Sequence, residues 1–249
     1  MNQISLIFVA VVAISCSYGV SGALPSSIKI CHRNDPQIND CIIKSIEQLR
    51  PRLAQGSLGD GFDLPKIEPF TIQSIKVGTT PDFKVNLKNI LIKGASNFKI
   101  EKLRANVNDL KVDVIVNFPK LDIKANYDLV IKIFGQNLDN KGDGFIKLEN
   151  ARARVSMKGS KYTKDGQQYI KFDRFRMKVQ PGTIRQLKLS NLFQNDRNIE
   201  DAANAFISAN SDFLLQNVYP TIEKDLAELL TNVANELAKN ATYDELFPL

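Results

Sequence analysis

The stretch Lys120-Leu-Asp-Ile-Lys-Ala-Asn-Tyr-Asp-Leu-Val-Ile-Lys-Ile133 decides the fold. Leu121, Ile123, Ala125, Tyr127, Leu129, Ile131 and Ile133 alternate with Lys120, Asp122, Lys124, Asn126, Asp128, Val130 and Lys132. A period of two sustained this long is a strand with one dry and one wet face. Val112, Val114, Val116 and Phe118 repeat the pattern just upstream. Downstream, Ala151, Ala153, Val155 and Met157 alternate with Arg152, Arg154, Ser156 and Lys158, Lys164-Asp-Gly166 reads as a hairpin turn, and Phe175, Met177 and Val179 form the return strand. The parity slips between Leu87 and Ile90 and between Phe172 and Phe175, which predicts bulges that bend the sheet. From Phe70 to Val179 the chain is therefore β. Long strands with one polar face make an antiparallel sheet that must cover its dry face.

The cover is expected at the end of the chain. From Asn198 to about Ala238, Ile199, Ala202, Phe206, Ala209, Phe213, Val218, Ile222, Leu226, Leu229, Val233 and Leu237 recur mostly at helical spacings. About 40 helical residues would span about 60 Å, and Pro220 predicts a kink near the middle. The expected class is α+β, a highly curved antiparallel β-sheet wrapped around one long C-terminal α-helix. Ahead of the sheet, Ile42, Ile46, Leu49 and Leu53 outline a shorter helix, with Asn39 or Asp40 as cap, Pro51 as a kink or early finish, and Gly56 as stop. The breaker-rich segment Gly56 to Pro69 reads as an extended loop.

Scarcity of residue types narrows the chemistry. The 249 residues include one His, three Cys and no Trp, so Ser-His-Asp catalysis would need His32 and a His-rich zinc site cannot be assembled. No Gly-Lys dipeptide exists for a phosphate loop. Asp139-Asn-Lys-Gly-Asp143-Gly144 resembles the start of a calcium loop, but Lys141 replaces a ligand and Asn150 stands where the bidentate Glu belongs, so a hairpin turn is the expectation there. Carboxylates are numerous, yet their spacing singles out no general acid/base pair. No catalytic residue, metal or cofactor is expected. A net charge of +6 without a run of five cations reads as solubility and predicts no nucleic-acid partner.

Residues 1–23 carry no charged side chain, and the apolar run Ile4 to Ile14 has the length of a signal-peptide core, followed by Ser21, Gly22 and Ala23 as a cleavage site. The expected organisation is a signal peptide over 1–23 and one domain over 24–249, secreted and extracellular, without stable membrane insertion. Loss of the signal removes Cys16 and leaves Cys31 and Cys41 in an oxidising compartment. As a disulfide they would close the loop 31–41, worth about 3 kcal/mol; the alternative is a reactive or metal-binding thiol pair. His32 reads as a surface residue. Asn240-Ala241-Thr242 is a glycosylation sequon, with Asn240 as acceptor.

What remains is apolar surface with a modest aromatic supply, Phe62, Phe70, Phe83, Phe134, Phe172, Phe206, Phe213 and Tyr127. These residues either fill a core or line a tunnel between sheet and helix, and apolar pockets with one or two polar groups are the usual small-molecule sites. Three functions follow: a carrier of a lipophile, an extracellular protein with a filled core that binds a partner or membrane surface through its basic outer face, and a hydrolase using a carboxylate pair.

Several features in order resemble one known family: Leu24-Pro25, Cys31-His-Arg-Asn-Asp35-Pro36 with Cys41, Gly56, Pro65 and Pro69, Asn191-Leu192-Phe193, Phe206-Ile207, Asn210, Pro220, and Tyr243-Asp-Glu-Leu-Phe247-Pro248. The chain resembles the insect takeout proteins, a family that includes the haemolymph juvenile-hormone-binding proteins. The resemblance spans essentially all of 24–249. It implies a curved sheet around a long helix, similar to half of the tubular lipid-binding proteins, with a disulfide near the N-terminus and an apolar tunnel. It also implies a non-enzymatic, monomeric carrier of a juvenile hormone, another terpenoid or a fatty acid, with any receptor unknown. The tunnel is expected to be lined by Phe62, Phe70, Val114, Val116, Ile123, Tyr127, Leu129, Ile131, Phe172, Phe206, Phe213, Val218 and Ile222. Tyr127 stands at a strand position where the family commonly places a Tyr facing the tunnel, and its hydroxyl could meet a ligand oxygen. Ser211 after Asn210 departs from the family, which often has Trp there.

Overall fold

A computed structural model describes residues 24–80, 83–133, 136–193, 197–216 and 218–249. The expected signal segment 1–23 lies outside them, as do the side chains of Phe83, Ile131, Phe134 and Phe213.

The first helix, α1 (Ile38–Gln55), runs through Pro51 and stops at Gly56, which takes the left-handed φ of 78° that glycine reaches without cost. Neither expected cap acts as one. The amide of Gln37 donates to the Asp35 carboxylate, and the Asn39 side chain instead accepts from the backbone of Ala105 at 2.8 Å. Cys31 and Cys41 form a disulfide with Cα atoms 5.9 Å apart, tying the segment before α1 to its first turn. The segment 56–69 is less irregular than expected, because β1 (Ser57–Gly59) and β2 (Phe62–Asp63) form a small hairpin.

The remaining strands are β3 (Phe70–Thr80), β4 (Phe83–Lys93), β5 (Lys99–Asn106), β6 (Lys111–Ile133), β7 (Gln136–Lys164), β8 (Gln167–Phe172), β9 (Arg176–Gln180) and β10 (Thr183–Leu189). They form one eight-stranded antiparallel sheet in the order β10-β7-β6-β4-β3, with β5 paired to β6 and β8 and β9 paired to β7. The spine is β6 and β7, of 23 and 29 residues, where a usual strand has about six. Their register is unbroken from Lys111↔Lys158 to Ile133↔Gln136. The apolar parity nevertheless flips in both strands at once, from Phe118 to Leu121 and from Ala151 to Leu148.

At this corner both strands change neighbours. Asn117 pairs with β5 and Asp122 with β4, while Arg152 pairs with β9 and Glu149 with β10. Asn150 takes a positive φ of 56° there, and Gly182 packs so close that a Cβ would lie 2.2 Å from the Glu149 carbonyl oxygen. A second bend is the expected bulge in β4, where the register with β6 shifts between Lys88 and Leu91 and Asn89 has φ 51°. The other expected bulge, near Phe175, is a strand break between β8 and β9. Asp165-Gly166 forms the expected hairpin turn, both residues at positive φ.

The expected turn at 139–144 is overturned, since these residues continue β7. The glycines serve close packing. A Cβ on Gly142 would stand 2.1 Å from the Ser190 carbonyl oxygen and 2.9 Å from the Tyr127 hydroxyl.

The α+β architecture holds, with the sheet open between its edges β3 and β10 among the described residues. Its helical cover comes in three pieces instead of one continuous helix: α2 (Arg197–Ala209), α3 (Ser211–Gln216) and α4 (Tyr219–Ala238), followed by the short α5 (Tyr243–Leu246). Asn210 interrupts the first junction, its side chain donating to the Phe206 carbonyl. Pro220 lies in the first turn of α4 and so begins a helix where a kink was expected, because that turn needs no backbone donor.

Candidate functional site: an apolar cavity beneath the sheet

The dry face of a curved sheet cannot be filled by one row of helices. Beneath it lies a cavity of about 1000 Å³, bounded by α1, the 64–70 segment, the inner faces of β3, β4, β6, β7, β9 and β10, and all three pieces of the C-terminal helical run. Its wall is assembled by the period-two residues. Val114, Val116, Ile123 and Leu129 of β6, Ile146, Leu148, Ala151 and Ala153 of β7, and Ile72, Ile75, Val85 and Leu87 of β3 and β4 point into it. The floor comes from the helices through Phe206, Ile207, Leu215, Val218, Ile222, Leu226, Leu229, Leu230 and Val233.

Helix side chains hold this floor against the sheet by bonding to strand-edge backbone. Asn235 receives the amide of Phe172 at 2.8 Å and donates to its carbonyl at 3.1 Å, Thr231 receives the amide of Phe175, and Glu223 that of Val179. Asn204 of α2 likewise bridges the amide and carbonyl of Leu189 on β10, both at 2.8 Å. Edges that would otherwise expose backbone donors and acceptors are thereby satisfied.

Of the residues expected to line a tunnel, Phe70, Val114, Val116, Ile123, Tyr127, Leu129, Phe206, Val218 and Ile222 border the cavity. Phe62 and Phe172 do not. Phe62 sits in the small β1–β2 hairpin, and Phe172 packs edge-on against Phe175 at 5.7 Å in the solid core beside Leu103 and Val155. Ile131 and Phe213 have no described side chain. Sequence reading did not place Pro65, Ile67 and Phe98 on the wall, which they also border; they lie outside any regular alternation.

Polar groups on the wall are few, and Tyr127, Arg152 and Asn210 among them are engaged. Tyr127 is 4% exposed, and its hydroxyl donates to the Ser190 carbonyl at 2.6 Å. Burial pushes its pKa up to about 12, with Glu200 and Asp143 adding to the shift, so it is a neutral phenol at any physiological pH. The ring therefore belongs to the cavity while the hydroxyl fastens the strand to the 190–193 segment. Arg152 pairs with Glu101 and Asn210 with Phe206. A wall of this kind recognises hydrocarbon by shape and exclusion of water, with little to orient a polar head group.

The segment around Arg33 and the C-terminal residues are joined beside this body. Arg33, next to the disulfide, pairs with Asp244 at 2.6 Å, lies over the Tyr243 ring at 5.0 Å, and through its backbone amide donates to the Pro248 carbonyl at 2.8 Å. His32 hydrogen-bonds Leu249. No His/Cys/Asp/Glu group that could hold a metal occurs among the described residues, and no helix among them is long and apolar enough to cross a membrane.

Comparison with known proteins agrees with this architecture. The chain is 22% identical to the circadian clock-controlled protein daywake of Drosophila melanogaster, covering 94% of this chain and 92% of that protein. It is 24% identical to a putative beta-carotene-binding protein of Schistocerca gregaria, covering 89% and 88%. The crystal structure of Epiphyas postvittana Takeout 1 shares the fold with a TM-score of 0.73 at 15% identity, over 89% of this chain and 100% of that one. The model of the haemolymph juvenile hormone binding protein family matches residues 7–248, and the chain belongs to that family.

Proposed function

We propose that this protein is a secreted, non-enzymatic carrier that holds one lipophilic molecule, such as a juvenile hormone, another terpenoid or a fatty acid, in the cavity beneath its sheet. The observation that carries the reading is the cavity itself, about 1000 Å³ with an almost wholly hydrocarbon wall. Burying about 400 Å² of apolar ligand is worth roughly 10 kcal/mol gross, and association costs remove about 4 kcal/mol or more, leaving about 6 kcal/mol, a dissociation constant of tens of micromolar. The name of the Schistocerca relative, a putative carotene binder, supports a ligand with little polarity. Signal removal before Leu24, a working domain over 24–249 and a glycan on Asn240 complete the reading; Asn240 is exposed in the turn before the capping box of α5.

Competition with a fluorescent fatty acid tests the carrier reading. Terpenoids and fatty acids should displace the bound probe at tens of micromolar, and a protein that neither takes up the probe nor yields it to any lipophile would refute it. The alternative with a filled core is disfavoured by the open volume.

A further inference from the structure

The outer face of the sheet divides into two halves with different charge logic. Below the corner at 118–121 and 148–151, opposite signs face each other across β6 and β7. Lys120 stands opposite Glu149, Asp122 opposite Lys147, and Asp128 opposite Lys141, the last pair at 3.3 Å. Above the corner like charges also face each other, although Arg104 of β5 stands opposite Asp113 of β6. Lys111 of β6 stands opposite Lys158 of β7, and Arg154 of β7 opposite Lys178 of β9. Like charges directly opposed across strands destabilise a sheet, so this half bears a cost that the other half avoids.

The same rows continue sideways. Lys102 of β5 shares the row of Ile115, Arg154 and Lys178, and Arg104 shares that of Asp113, Ser156 and Arg176. Lys171 of β8 lies further along. All these cations are exposed. Glu101 engages Arg152 and Glu223 engages Lys178, but Lys102, Arg104, Arg154, Lys158, Lys171 and Arg176 have no carboxylate within ion-pair distance among the described residues. The carboxylates set among these cations are Glu101, Asp113 and Glu223.

We propose that this upper half of the outer sheet is a docking surface for a membrane bearing anionic phospholipids. Strands about 4.8 Å apart, with same-face residues about 7 Å apart along each, present the cations as a broad two-dimensional array. Such an array matches a field of singly charged head groups. Beyond it, Tyr162 and Tyr169 stack at 5.7 Å on the same face of the β7–β8 hairpin, with Tyr162 41% exposed. Tyrosine is an amphipathic ring suited to the head-group region. A protein partner would ordinarily find an apolar centre to bury, and this half-face offers only the half-buried Ile115 within its rows. The inference does not depend on what fills the cavity.

Co-sedimentation of the secreted, oxidised protein with vesicles provides the test. Vesicles of phosphatidylcholine with about 30% phosphatidylserine should bind it, vesicles of phosphatidylcholine alone should not, and 0.5 M salt should weaken binding at least tenfold. The triple variant Lys111→Gln, Arg154→Gln, Lys158→Gln should lose about 100-fold in affinity, since each basic group near an anionic surface contributes several-fold. A matched variant of the lower half, Lys124→Gln with Lys147→Gln, should bind as the parent does. Thermal unfolding reports whether the triple variant is folded, and relief of like-charge pairs should leave its Tm unchanged or raised. Equal binding to both vesicle types, or undiminished binding by the folded triple variant, overturns the proposal. Retention on heparin without vesicle binding overturns it too, in favour of a soluble polyanion. Fluorescent fatty acid uptake by the triple variant should be unchanged, which separates this outcome from failure of the carrier reading.

Discussion

At the scale of single residues, Gly142 and Tyr127 form one device. The missing Cβ lets the Ser190 carbonyl approach, and the Tyr127 ring covers the gap while its hydroxyl donates to that carbonyl. Gly142→Ala should cost about 1–3 kcal/mol by overpacking, measurable by denaturant unfolding. Tyr127→Phe should cost about 1 kcal/mol of stability through the unpaired carbonyl and weaken an oxygenated ligand and a plain hydrocarbon equally. A selective loss for the oxygenated ligand would show that the hydroxyl reaches the cargo. The strand around Tyr127 was legible from alternation alone, whereas the role of Gly142 was not: its neighbour Ser190 is distant in sequence, and Gly-Asp-Gly imitates a turn.

Glu68 is a second residue whose role only the fold reveals. Burial raises its pKa, but hydrogen bonds from the Gly94 and Ser96 amides and the Ser96 hydroxyl outweigh this and hold it below the ordinary value. A carboxyl depressed in the folded state adds stability that is complete above its unfolded value of 4.5 and is lost as pH falls through the folded one. Glu68→Gln should therefore flatten the stability profile below about pH 4.5, as read from urea midpoints across pH.

At the scale of elements, strands were readable and helix junctions were not. Periodicity placed the inner faces of β6, β7 and β9 because two faces of a sheet alternate whatever the tertiary context. The run from Asn198 to Ala238 kept helical spacing across two breaks, since α2, α3 and α4 all turn their apolar residues to the same cavity. The amides inside these helices carried no sequence signal either, yet Asn204 and Asn235 bind strand edges. Asn235→Ala removes both bonds to Phe172 and should cost about 2–3 kcal/mol, with faster hydrogen exchange at the Phe172 amide as its local signature. Replacing Cys31 and Cys41 by Ser should cost about 3 kcal/mol. It should also loosen the C-terminal segment, which Arg33 binds through Asp244 and Pro248.

At the scale of the whole molecule, the cavity follows from geometry. Two strands of 23 and 29 residues must twist and bend, and the parity flip at the corner keeps both halves of the dry face turned inward. A face this long encloses more space than a single layer of helices fills. The sequence showed that an apolar face existed but not whether side chains filled it, because alternation reports which residues turn inward and not the distance to what they meet. Native mass spectrometry of the protein, purified without organic solvent and followed by extraction, tests directly for a bound cargo. One noncovalent lipophile per chain is expected, released by extraction and absent from an Ala125→Trp, Ala153→Trp variant whose new side chains occupy the cavity. A parent protein found only at its bare mass, with no extractable lipophile and no uptake of a fluorescent fatty acid, would contradict the carrier reading.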